Sequence, residues 1–192
     1  MPPSISHAEI CYLNRLALYT REDPLKADPQ VIYTYFFDLE QPAEICNRLL
    51  HYCTTAAGSG SPLEGKLASS RAVGFFQKLE LLTEISYLVH AGVISIKPAN
   101  EPRQPLAVLK DCFQYKSLGE WKELAESWCD CCLTGQSIAD FIDAKDILLS
   151  VFNWWKLIDA SWELFSSAEN NRAEEPEAYY YTSADQRKML VA

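Results

Sequence analysis

Apolar residues return every three or four positions along most of this chain, a rhythm that places them on one side of an α-helix. Ser6 and Glu9 form a capping box, and Ile10, Leu13, Leu16 and Ala17 follow as an apolar stripe, which predicts a first helix. Asp28 and Pro29 supply a cap and a first-turn proline, so "QVIYTYFFDL" is predicted as a short helix, although its β-branched and aromatic content also suits a strand. Pro42 opens a clearer helix, with Ile45, Cys46, Leu49, Leu50 and Cys53 on its stripe and Gly58 as its stop. The longest periodic run covers residues 67–91, where Val73, Phe76, Leu79, Leu82, Ile85 and Val89 share a side widened by Phe75 and Leu81. Gly74 is a point where that helix could kink or divide, and Gly92 ends it.

Beyond Gly92 the period changes. "VISIK" alternates, "PANEPRQP" carries three prolines and "LAVLK" follows, which predicts two short strands around a proline-rich tip over residues 93–110. Helical spacing then resumes. Ser117 and Glu120 make a second capping box before Trp121, Leu124, Ala125, Trp128 and Cys132, with Gly135 as the stop. Ser137 caps another helical stretch that lasts to about residue 166 and carries Phe141, Leu148, Phe152, Trp155, Ile158, Trp162 and Phe165. The expected fold is therefore mainly α, with six to eight helices and one small β-hairpin. Its expected parts are an N-terminal helical part (1–57), a Gly/Ser linker (58–66), a helical part holding the hairpin (67–167) and an acidic, tyrosine-bearing tail (168–192). A helix ending in "LVHAGVISI", a hairpin and a further helix also follow the order of the second half of a winged-helix unit.

Composition supports a folded globule: 48% of the 192 residues are hydrophobic and 12% aromatic. The start of the chain has no basic segment leading into an apolar one, and the most apolar run is interrupted by Ser150 and Asn153. The expectation is an intracellular, cytoplasmic protein without a membrane segment. A net charge of −9 disfavours nucleic acid as a partner. The charge is uneven, however: residues 66–122 hold 8 Lys/Arg against 5 Asp/Glu. Lys66, Arg71, Lys78, Lys97 and Arg103 fall where a winged helix would meet phosphates. Seven cysteines are an odd number spread over most of the chain, which predicts reduced, mostly buried thiols.

Few residues carry a chemical signature. From Gly60 the chain reads G-x-x-x-x-G-K, but Leu67 stands where a phosphate loop needs a hydroxyl for its metal ion, and the preceding segment is predicted helical rather than strand. "WCDCCL", with Cys46, His51 and Cys53, offers thiolates and an imidazole. The pairs Cys129/Cys132 and Cys46/Cys53 nevertheless lie on apolar stripes, so structural thiols are expected, with no metal and no cofactor. Cys131, off that stripe, is the thiol expected to react. His51 and His90 near helix C-termini suggest imidazolium favoured by the dipole. Trp121/Trp128 and Trp155/Trp162 are each seven apart and predict core packing between helices, which leaves Trp154 facing elsewhere. Trp154, Tyr179, Tyr180 and Tyr181 are accordingly the candidate partner-binding residues. The expected function is a non-enzymatic protein-interaction or regulatory module whose partner is another protein or a second copy. A winged-helix DNA-binding regulator is the second reading, and an enzyme with a cryptic helical pocket the third.

Overall fold

A computed structural model describes residues 5–21, 23–38, 40–58, 63, 65–96 and 103–174, the side chains of 103 and 169–174 excepted. Local signals set most of its helix starts. Ser6 caps α1 (His7–Cys11) in a reciprocal box with Glu9, and α2 (Asn14–Thr20) follows after a short break. The Asp28 carboxylate accepts the Gln30 N–H at 2.8 Å and opens α3 (Pro29–Phe37), which settles the helix-or-strand ambiguity of that stretch in favour of helix. Gln41 and Pro42 open α4 (Pro42–Ala57), and α5 (Lys66–His90) runs unbroken through Gly74. Next come α6 (Arg103–Tyr115) and α7 (Leu118–Thr134), the latter capped by Ser117 and closed by Gly135 at φ 75°, a left-handed position that glycine adopts without strain. Ser137 caps a single 3₁₀ turn, and α8 (Ala144–Glu174) ends the described chain.

Helix α5 is the axle of the assembly. It packs on α2, α3, α6, α7 and α8, while α4 lies against α7 and α8, and α6 against α8. One hydrophobic core runs from Leu13 to Phe165 through all of these helices except the short α1. Its densest part is a tryptophan cluster: Trp154 meets Trp121 at 5.3 Å and Trp128 edge-on at 5.5 Å.

Polar groups are also built into this interior. Leu13, the N-cap of α2, offers no side-chain oxygen to the free amides of that helix. Glu84 of α5 supplies the oxygens instead, one accepting the Arg15 N–H at 3.2 Å and the other the Leu16 N–H at 2.7 Å. The Lys122 ammonium of α7 donates to Glu84, to the Asn14 side-chain oxygen and, at 2.8 Å, to the Tyr12 carbonyl. Its three hydrogens thus meet three acceptors. Burial pushes the Glu84 carboxyl above the usual range, and Lys122 and the two amides pull it back. This buried junction fixes α2 against α5 and α7.

Three sequence expectations are corrected. No strand occurs among the described residues: 93–96 pair with nothing as strand, and 106–110, "LAVLK", are the second turn onward of α6, where Leu109 and Cys112 turn into the core. The β-hairpin, and the wing it would form, is therefore not supported; residues 97–102 lie outside the described residues. An apolar run of four fits a helix as readily as a strand when a neighbouring helix covers one side of it. Second, Trp154 is fully buried, because helical rotation turns it, and not Trp155, toward α7. Third, Trp155, expected to pack in the core with Trp162, is exposed, as are Phe141, Leu148 and Phe152 of the same stretch, with Lys156 lying over the Phe152 ring at 4.5 Å. Of the linker 58–66, Leu63 donates its N–H to the Cys132 carbonyl at 3.0 Å. Helix α8 continues to Glu174, past the expected start of the tail at 168.

Candidate functional site

Four helices leave a groove of about 810 Å³ between them. Helix α2 contributes Arg15 and Tyr19, α3 Tyr35, α4 Arg48, His51 and Tyr52, and α5 Arg71, Gly74, Phe75 and Lys78. The tyrosines form its walls: Tyr19 packs on Tyr35 at 4.9 Å, and Tyr52 on Phe75 at 5.1 Å. Lys78 stands 4.7 Å from the centre of the Tyr35 ring, where the ring face attracts its charge. No acidic residue lines this groove among the described residues. A smaller arm of about 190 Å³ shares Tyr35, Arg48, Phe75 and Lys78, and there Asp38 and Glu40 enter.

Not every cation in the groove is available. Arg15 donates to the buried Glu80 at 2.8 Å, and Arg48 is bound to Glu40. Arg71 and Lys78 form no ion pair among the described residues. Burial raises the Tyr52 phenol, and the nearby guanidinium groups of Arg48 and Arg71 oppose that shift. Two guanidinium groups from different helices thus approach one hydroxyl, with no carboxylate between them in the main groove. A guanidinium without an ion pair among the described residues, such as Arg71, binds carboxylate or phosphate in a two-pronged fit. The helix surface does not collapse the groove, because Gly74 faces it with no heavy atom within 4 Å of where a Cβ would stand.

The residues singled out from sequence divide among several places. Arg71 and Lys78 meet in the groove, and Lys66 is exposed at the start of α5. Lys97, Tyr179, Tyr180 and Tyr181 lie outside the described residues, as does the Arg103 side chain. Trp154, in the core, can touch no partner. The helix assigned to a DNA groove, α5, is enclosed by five others, and its Glu80 and Glu84 are buried. Sequence reasoning missed Arg15, Tyr19, Tyr35, Arg48 and Tyr52. A partial signal existed: Arg71 and Lys78 are seven apart and share a face, and Glu80 and Glu84 share the opposite one.

The sulfur and imidazole groups sit elsewhere in character. All seven cysteines are free thiols, and burial raises Cys46 and Cys132 to about 12 and pushes Cys53 higher still, which suppresses the reactive thiolate. Cys131 is buried and raised as well, because its position on α7 faces inward; the exposed thiol is Cys11. His90 also departs from expectation. Burial, helped by Lys110, lowers it below its ordinary value, so desolvation outweighs the helix dipole there. No group of three or more His, Cys, Asp or Glu among the described residues could hold a metal ion. None of the described helices is long and apolar enough to cross a membrane. In comparisons with known proteins, no family model, curated protein or solved structure matches the chain.

Proposed function

We propose that this chain is a non-enzymatic interaction module and that the groove between α2, α3, α4 and α5 receives an acidic segment of a partner protein. The observation that carries the reading is a tyrosine-walled groove in which Arg71 and Lys78 form no ion pair among the described residues, in a chain whose net charge is −9. A generic polyanion is repelled by the rest of such a molecule, whereas a short acidic segment that reaches only the groove is not. The tyrosine rings supply apolar contact area and hydroxyl groups, and the cations supply orientation. Among the described residues a winged-helix contact with DNA finds neither hairpin strands nor an open reading helix, so it gains nothing from this geometry.

The test is a fluorescence-anisotropy titration of the full chain with a short labelled Glu/Tyr peptide, at low and at physiological salt. Binding is expected to weaken with salt and to disappear in the Arg71→Glu/Lys78→Glu double variant, while its melting temperature stays within a degree or two of wild type. A Gln/Tyr peptide binding as tightly as the acidic one, or a double variant that binds unchanged, would overturn the proposal.

A further inference from the structure

A second concavity, of about 390 Å³, opens where α1, α5, α6 and the start of α7 meet, and it shares no residue with the basic groove. Aromatic rings line it: Tyr12 after α1, Tyr87 and His90 on the last turn of α5, and Phe113 on α6. Tyr87 and Phe113 stand 5.2 Å apart at 76°, which makes a corner of two walls, and His90 stacks on Phe113 at 5.5 Å and 19°. Tyr12 is seated against α7 at Gly119, where a Cβ would come within 2.7 Å of the ring. Only glycine leaves room for the ring in that place.

The lining itself carries only negative charge, although Lys110 lies near enough to His90, and Lys116 to Glu120, to act on them. Glu9, Glu120 and Glu123 line the pocket, and no Lys or Arg does among the described residues. Glu9 accepts from the Ser6 hydroxyl and from the Tyr87 hydroxyl, and Glu120 accepts from the Ser117 hydroxyl at 2.6 Å. These bonds hold both carboxyls below the usual range, so they are ionised at neutral pH, while burial keeps the His90 imidazole neutral. The Tyr87–Glu9 bond also pins one wall of the corner. Ring faces and carboxylates together attract a cation. A primary ammonium surrenders strong hydration to enter such a place, whereas an alkylated one has little to lose and fills the apolar space with its methyl groups.

We propose that this pocket binds a quaternary ammonium group. The test is NMR titration of the full chain with choline chloride, followed at the aromatic resonances. Shifts are expected at Tyr12, Tyr87 and Phe113, and dimethylbutanol, the neutral isostere of choline, is expected to bind about tenfold more weakly. Tyr12→Leu, at a ring already 39% exposed and so of little consequence for folding, should weaken choline about tenfold. Arg71→Glu should leave choline affinity unchanged, so a failure here is separable from a failure of the groove. Tighter binding of a trimethyllysine peptide than of choline would assign the group to a protein partner, and equal affinity would assign it to a free small molecule; either supports the site. Equal affinity for choline and its neutral isostere, or Tyr12→Leu binding choline as wild type does, overturns it.

Discussion

The two sides of α5 use charge in opposite ways. Toward α2 and α7 it buries Glu80 and Glu84, and their partners Arg15 and Lys122 come from positions 65 and 38 residues away in sequence. Toward the groove it presents Arg71 and Lys78 to solvent with no ion pair among the described residues. The inner charges are paired with one another, Arg15 with Glu80 and Lys122 with Glu84, and they hold helices in place. The outer ones share a concave surface with aromatic walls and leave their bonding capacity open. A charge that is satisfied inside the fold is structural, and a cluster left unsatisfied on a shaped surface is available to a ligand.

The strongest way to break that contrast is to remove an inner partner. Lys122→Ala leaves the Glu84 carboxylate without its counter-charge in a dry site, and the loss expected is about 3–5 kcal/mol, a fall of roughly 10 °C in melting temperature. A Lys122→Met/Glu84→Leu double variant should lose less than the two single variants summed, because no lone buried charge remains; simple additivity in thermal unfolding would disprove the coupling. On the outer face the expected sign reverses. Gly74→Ala meets open space within a regular helix, so it should stabilise the fold by about 0.8–1 kcal/mol in denaturant unfolding while the acidic peptide still binds.

The smallest effect sits at the end of the same helix. His90 titrates below its ordinary value of 6.5 in the folded chain, so between 6.5 and that lower value the unfolded chain holds more protons. Stability is therefore expected to be complete above pH 6.5 and to fall as pH drops through this window. The groups around it, Lys110 with Glu9, Glu120 and Glu123, are present in wild type and variant alike. His90→Gln should flatten the slope over that window, and an unchanged slope would show that another group sets it.

Much of the helical frame was legible from local chemistry. The boxes at Ser6/Glu9 and Ser117/Glu120, the Asp28-Pro29 start and the Gly135 stop each satisfy backbone groups within a few residues of themselves, so no distant part of the chain has to agree. Where the local signal served two structures equally, it misled: the apolar run in "LAVLK" is too short to separate strand from a helix buried on one side. Trp154 and Trp155 show the same limit at finer grain, since adjacent residues on a helix point about 100° apart and the stripe was wide enough to admit either.

The sequence by itself determined that this chain is a mainly helical globule with most of its thiols turned inward, because periodicity, caps and hydrophobic content act through neighbours in the chain. Only the tertiary structure decided that Arg15, Arg48 and Arg71 would converge on one groove, that Glu84 would cap a helix it does not belong to, and that Tyr12, Tyr87 and Phe113 would share a pocket. The physical reason is distance. Periodicity fixes which face of a helix a residue occupies, but which faces meet depends on how the described helices α2 to α8 fill one core, a condition that no local stretch of sequence expresses.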